Sequence, residues 1–196
     1  MECQKCKKSA AIELSYLEPL CNKCFCGVIE KRIRKYCRLN HLFEKNDAVL
    51  VLDNLGDFVL KRIIGGLPVR TALKEISVSN ILNNDKEAER FVSEKKINKI
   101  FLPWTADDEA CEFLYEVFNN KIAENKNDKP LTRICAKPFL HVTNNELDIY
   151  AKIHNLNFNP NNLFPDVKHF LDSLEKFHPD TKFGLIKSRQ LIDRLR

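Results

Sequence analysis

With 196 residues, 44% of them hydrophobic, the chain is long enough for one ordinary domain plus a small appendage, and apolar enough to exclude a disordered polymer. Lys and Arg outnumber Asp and Glu 32 to 27, and the resulting +5 is too mild to prove a nucleic-acid partner by itself. No run approaches the ~18 to 20 apolar residues of a membrane span, and Met-Glu-Cys-Gln-Lys lacks a secretion-signal pattern, so a cytoplasmic protein with no membrane attachment is expected.

The opening stretch holds two CxxC pairs, Cys3/Cys6 and Cys21/Cys24. In a reducing compartment that spacing reads as metal rather than disulfide. Two intervening residues let both sulfurs of a pair face one ion while backbone N–H groups stabilise the thiolates. Four thiolates close a tetrahedral shell, so a structural Zn²⁺ is expected, with iron as the other option. Cys26 either competes as a ligand or packs, and Cys37, Cys111 and Cys135 read as small buried hydrophobes. Residues 11–17 alternate apolar and polar, which gives one or two short strands of a zinc ribbon over residues 1–27.

A helix follows over about residues 27–39, within a basic linker over residues 28–46. Ile29, Ile33, Tyr36 and Cys37 take one face, and Lys31, Arg32, Arg34, Lys35 and Arg38 the other, with no acid among residues 31–38. Such a run reads either as a solvated face or as a contact for nucleic-acid phosphates.

Residues 47–196 form the body. Residues 47–53 are a continuous apolar run between aspartates, a buried parallel strand. Helical spacing then runs through Val59 and Ile63 to the break at Gly65-Gly66-Leu67-Pro68. Residues 75–82 alternate and predict a second strand; Asp85 caps a helix with Ala88, Phe91 and Val92 inward; residues 97–102 are a third strand. Thr105 caps the next helix, whose Asp107, Asp108 and Glu109 suit the positive end of its dipole. That helix turns Ala110, Phe113, Leu114, Val117 and Phe118 inward. A polar loop over residues 119–129 precedes a fourth strand at residues 133–139. Thr143-x-x-Glu146 is a capping box opening a helix to His154, an Asn/Pro loop spans residues 157–162, and two amphipathic helices follow. Leu171, Phe177, Ile186 and Leu191 are among their inward residues. His141, His154, His169 and His178 lack ligand spacing and read as structural, and Trp104 as core or interface. Strands alternating with helices predict an α/β fold with a doubly wound parallel sheet.

Several segments carry a resemblance. Leu20-Cys21-x-x-Cys24-Phe25 with residues 30–35, Asp107-Asp108-Glu109-Ala110, Lys137-Pro138-Phe139 with Glu146-Leu147-x-x-Tyr150-Ala151, and His178-Pro179-Asp180-Thr181-Lys182-Phe183 occur in the order found in the tRNA 2-thiolation proteins. The chain resembles these TtuA-like thiolases of the PP-loop superfamily, which include both subunits of the cytosolic wobble-uridine thiolase. The resemblance implies a PP-loop, adenine-nucleotide-hydrolase-like body. In active members, Ser-Gly-Gly-Lys-Asp-Ser follows the first strand and cradles ATP pyrophosphate. Here Asp53-Asn54-Leu55-Gly56-Asp57-Phe58 stands there. Only Asp57 matches, the lysine is missing, and the Asp53 carboxylate opposes an anion at a helix N-terminus. The family's mid-chain cysteines have no counterpart before Asp85 or over residues 159–165, and no second cysteine knuckle precedes Arg196. The expectation is therefore a non-catalytic subunit with no catalytic residues and no ATP. It would pair with a catalytic thiolase subunit, tRNA bound through Lys31, Arg32, Arg34, Lys35 and Arg38, and a ubiquitin-like sulfur carrier. A divergent ATP-dependent tRNA sulfurtransferase and a stand-alone zinc-ribbon RNA-binding protein are the alternatives.

Overall fold

The structure, a computed structural model, describes residues 1–122 and 129–195. The expected loop at residues 119–129 lies partly outside the described residues.

Strands β1 (Ile12–Leu14) and β2 (Leu17–Leu20) form an antiparallel hairpin pairing Ile12 with Leu20 and Leu14 with Leu17. Helix α1 runs Asn22–Leu39 and starts earlier than its apolar pattern suggests, because Cys21 sits at its N-cap and Cys24 in its first turn. Phe25, Ile29, Ile33 and Cys37 recur every fourth position and are buried together, which is the core-facing stripe of a 3.6-residue period.

The body follows as β3 (Ala48–Val51), α2 (Asn54–Ile63), β4 (Arg70–Leu73), α3 (Val78–Leu82), α4 (Lys86–Glu94), β5 (Lys99–Phe101) and α5 (Ala106–Phe118). After it come α6 (Pro130–Arg133), β6 (Cys135–Ala136), α7 (Asn144–Ile153), α8 (Pro165–Glu175) and α9 (Thr181–Arg194). Four strands make one parallel sheet in the order β4-β3-β5-β6. The chain winds to one side of β3 and then to the other, so the order reverses between β3 and β5. A crevice opens beyond the carboxyl ends of the strands at such a reversal.

Side-chain alternation distributes the core between the two faces of this sheet. Val49, Val51 and Phe101 join a cluster with α1, α2 and α7, whereas Leu50, Leu52, Ile100 and Leu102 join one with Val78, Ile81, Ala88 and Trp104. Each fully buried aliphatic side chain contributes roughly 1.5–3 kcal/mol. Cys3, Ile12, Leu20 and Phe25 of the cysteine-bearing segment belong to the first cluster, so the core runs unbroken from the hairpin into the sheet. A third, smaller cluster of Ala110, Cys111 and Leu171 lies among α5, α8 and α9.

One strand expectation is corrected. Residues 75–82 contain helix α3, not a strand: Ser77 Oγ accepts the N–H of Asn80 at 3.2 Å, and Val78 and Ile81, one helical turn apart, are buried. A short helix and a strand are hard to separate over so few positions. The second strand is β4, a largely exposed edge strand with no apolar run to announce it. The fourth strand shrinks to β6, because Arg133 ends α6. Val117, Phe118, Phe177 and Leu191, expected to face inward, are exposed. The capping residues Asp85, Thr105 and Thr143 all accept the predicted backbone N–H groups. No helix among the described residues is long and apolar enough to cross a membrane.

Candidate functional site

The first site is the cysteine cluster. Lys8 O accepts the N–H of Cys3 at 2.7 Å, Cys3 O accepts that of Lys7 at 2.9 Å, and Lys7 takes a positive φ of 62°, which closes the first knuckle. Gln4 N donates to Pro19 O at 3.0 Å and ties that knuckle to β2. The second knuckle is the N-terminus of α1 itself. The four sulfurs of Cys3, Cys6, Cys21 and Cys24 lie within 4.8 Å of one another, and those of Cys6 and Cys21 are 3.6 Å apart. These residues can hold a metal ion.

Backbone N–H groups, that of Cys21 foremost, pull the Cys3 thiol down to about 6, and that of Cys24 lowers Cys21. Cys24 is pushed up to about 12 because it shares hydrogen bonds with Cys6 and Cys21. Thiolates so close together repel unless a cation sits among them. Cys26 faces the core instead, and burial raises it to about 11. Burial likewise pushes Cys37, Cys111 and Cys135 up to about 12, which suits inert packing.

The five basic residues of α1 divide into two groups. Arg32 Nη1 donates to both carboxylate oxygens of Glu146, at 2.8 and 2.9 Å, and to His141 O at 3.1 Å. The Glu146 side chain is 0% exposed and also accepts the Thr143 N–H at 3.0 Å. Arg34 donates to Arg62 O at 3.0 Å and Ile63 O at 3.4 Å, satisfying carbonyls that the end of α2 leaves open. Both arginines join α1 to the body. Lys31, Lys35 and Arg38 are exposed and fall on one face at i, i+4 and i+7.

The second site is the crevice beyond β3 and β5, a cleft of about 960 Å³. Asp53, Asn54, Asp57 and Phe58 line it from one side, Glu75 and Ser77 from another, and the loop after α7, including Asn157 and Asn161, closes the third. The remaining two loop residues turn inward: Leu55 is 2% exposed, and Gly56 packs against the sheet. A Cβ at Gly56 would stand 3.0 Å from Val51 Cγ1 and 3.2 Å from Phe101 Cε1, so only glycine brings α2 this close.

Asp53 caps α2, its carboxylate accepting the Gly56 N–H at 2.5 Å. Burial raises its pKa, with the Glu75 charge adding to the effect, although the N–H groups of Gly56 and Leu55 pull the other way. Lys61, on the same helix, is held by Asp57 at 2.6 Å. No cysteine is among the lining residues.

A third group goes beyond a dipole complement. Asp108 completes the capping box of Thr105 at the start of α5, and Asp107, Glu109, Glu112 and Glu116 are also buried. Lys182 Nζ lies 2.7 Å from Asp107 and also pairs with Glu175. Arg189 reaches Glu109 at 3.1 Å and both Glu112 and Glu116 at 3.3 Å. Lys137 bonds Glu109 at 2.8 Å and lies 4.7 Å over the ring of Trp104, whose Nε1–H also donates to Glu109 at 2.8 Å. Burial pushes Asp108 up to about 6. Three segments far apart in sequence thus meet in one ion network. The available signal was an acidic stripe at Glu109, Glu112 and Glu116, matched by basic residues two helical turns apart at Lys182 and Arg189. The half-buried histidines pack, His154 against Phe58 and Tyr150 and His141 on the edge of Tyr36.

No family model and no curated protein sequence matches this chain. Among solved structures, it is similar to the U34-tRNA thiolase NcsA from Methanococcus maripaludis with its [4Fe-4S] cluster. The two are 16% identical, the match covers 98% of this chain and 87% of that one, and the TM-score is 0.75. At that identity the likeness shows a shared α/β fold with a parallel sheet.

Proposed function

We propose that this chain is a non-catalytic partner subunit in tRNA 2-thiolation at the wobble uridine, positioning tRNA in the cytoplasm for a catalytic thiolase subunit. The fold likeness to a U34-tRNA thiolase supports the reaction class. One observation carries the non-catalytic reading: the Asp53 carboxylate occupies the Gly56 N–H at the N-terminus of α2. A phosphate approaching that helix end meets a carboxylate instead of a free donor. The loop itself carries no lysine, Lys61 in the turn after it pairs with Asp57, and among the described residues no cysteine lines the cleft to carry sulfur. Lys31, Lys35 and Arg38 are the tRNA contacts in this reading, and Arg32 and Arg34 hold the helix that presents them.

The metal is Zn²⁺, held by residues 1–27 ahead of the body over residues 47–196. Zn–S bonds of about 2.3 Å place tetrahedral sulfurs about 3.8 Å apart, and the Cys6–Cys21 separation of 3.6 Å fits. A four-iron cluster sets each thiolate on its own iron, which demands a wider spread.

Co-purification of the full chain with metal analysis tests the proposal. The expected result is one zinc per chain, a recovered ATP-dependent thiolase, and no ATP binding by the chain alone. Tight ATP binding by the isolated chain, weakened in Asp57→Ala, would overturn it in favour of a divergent sulfurtransferase. Binding of tRNA with no thiolase recovered under any condition would favour a stand-alone RNA-binding protein.

A further inference from the structure

The strand-end cleft has lost the means to hold a phosphate, yet it has not closed. At about 960 Å³ it has the volume of a small-molecule site. It has a polar rim and apolar walls. Among the described residues, three carboxylates line it, Asp53, Asp57 and Glu75, against one ammonium, Lys61. The sign is opposite to that of the chain as a whole, which is +5. Low-dielectric walls focus such a field into the crevice.

The carboxylates are spread along the rim. Among the described residues, the only group of ligating side chains gathered closely enough for a metal ion is the four-cysteine cluster. An extended ligand suits this rim better than a divalent ion. Among the carboxylates stand apolar side chains, Phe58 from α2, Ile76 beside Glu75, and Leu156 and Pro160 from the loop after α7. Asn155, Asn157 and Asn159 add side-chain amides, each with an oxygen that accepts and an NH2 that donates.

From this arrangement we infer that the cleft binds an organic cation, an ammonium or guanidinium group carried on an apolar body, in the place where the fold otherwise offers a phosphate site. The Asp57–Lys61 pair is its internal competitor: Lys61 already supplies one positive charge to this rim, and its side chain is 63% exposed and free to swing away. A ligand cation displaces it, pairs with Asp57 and Glu75, and lays its carbon chain along Phe58. The group has two sources with the same chemistry, a free amine and a lysine or arginine side chain of a polypeptide. The inference goes beyond the tRNA reading and does not depend on it.

The test is a calorimetric titration of the zinc-loaded full chain, without tRNA or partner, with three probes: agmatine, the capped tripeptide Gly-Arg-Gly, and ATP. Agmatine or the peptide binds, the tighter of the two identifying the source, and ATP does not. Neutralising the charges of the site one sign at a time gives a signed prediction. Lys61→Met removes the competitor and tightens cation binding by about two- to fivefold, whereas Asp57→Asn combined with Glu75→Gln weakens it by about fivefold or more. Both sets of substitutions lie on exposed or half-exposed side chains, and Asp53, which caps α2, is left in place. No binding of either cation, or equal binding by all variants, overturns the inference while leaving the thiolation reading intact. A loss of ATP binding in Lys61→Met would overturn both, by identifying an anion site.

Discussion

The division of the basic residues on α1 gives the most quantitative prediction. Sequence places five cations on one helix; the structure leaves three of them, Lys31, Lys35 and Arg38, facing outward, and commits Arg32 and Arg34 to Glu146 and to the end of α2. The perturbation is the triple substitution Lys31→Ala, Lys35→Ala, Arg38→Ala. Each phosphate neutralised contributes about 0.7 to 0.9 to the slope of log K against log salt, so three contacts contribute about 2 to 3. All five would have contributed about 3.5 to 4.5. A fourfold rise in salt should therefore cost the unmodified protein about 20- to 40-fold more tRNA affinity than it costs the triple variant. Fluorescence anisotropy with labelled tRNA over a salt series reads this directly. The thermal midpoint of the variant should hold, because exposed surface substitutions usually shift stability by less than about 0.5 kcal/mol. An unchanged slope would refute the assignment. So would an equal loss of slope on replacing Arg34 alone, because Arg34 turns its Nε and Nη2 donors to the backbone carbonyls at the end of α2.

Cys3→Ser or Cys21→Ser should release about one metal ion per chain and lower the thermal midpoint of the whole protein, since metal binding and folding are linked; unchanged metal content in both would remove those residues from the ligand set. Arg189→Met removes the fork that holds three buried carboxylates, and with Arg189 16% exposed the cost should fall at the low end of the buried-pair range, about 3 kcal/mol, or about 1.5 M in urea midpoint. Burial raises Glu109, but Lys137 and Arg189 beside it more than offset that and hold its carboxyl below the usual range. Its contribution is thus complete above the unfolded value of about 4.3 and is lost as pH falls through the lower folded value. The gap between the protein and Arg189→Met should hold from neutral pH down to about 4 and close below it; a gap that persists unchanged well below pH 4 would point to packing instead of charge. Gly56→Ala inserts a methyl group 3.0 Å from Val51 and 3.1 Å from the Asp53 carboxylate, and should cost about 1–3 kcal/mol in denaturant titration; a neutral result would show that α2 can move off the sheet.

What the sequence reveals depends on how far apart the interacting groups lie. The cysteine cluster is legible because each knuckle is encoded within four residues and the pairs repeat. β3 and β5 are legible as buried apolar runs, and the caps at Asp85, Thr105 and Thr143 as local hydrogen-bond patterns. β4 escapes notice because an edge strand needs no apolar face; its pairing with β3 depends on backbone groups that every residue carries. The roles of Arg32 and Arg34 are hidden for another reason: their partners lie 114 and about 29 positions away, so a helix wheel shows them as polar without saying to what they bond. The buried carboxylates of α5 look like solvated dipole partners until α9 supplies the arginine and lysine that neutralise them.

The unbroken core between Cys3 and Val49 has a physiological consequence. A metal clip on a tether can empty and refill while the rest of a protein persists. Here Phe25 and Ile29 pack with the sheet, so an empty clip loosens the same cluster that holds β3 and α2. Marginally folded chains are triaged by proteases, and a loss of one or two kcal/mol changes abundance several-fold. Scarcity of the metal would therefore register as scarcity of the protein, with no dedicated sensor, and any assembly built on this chain would inherit that dependence.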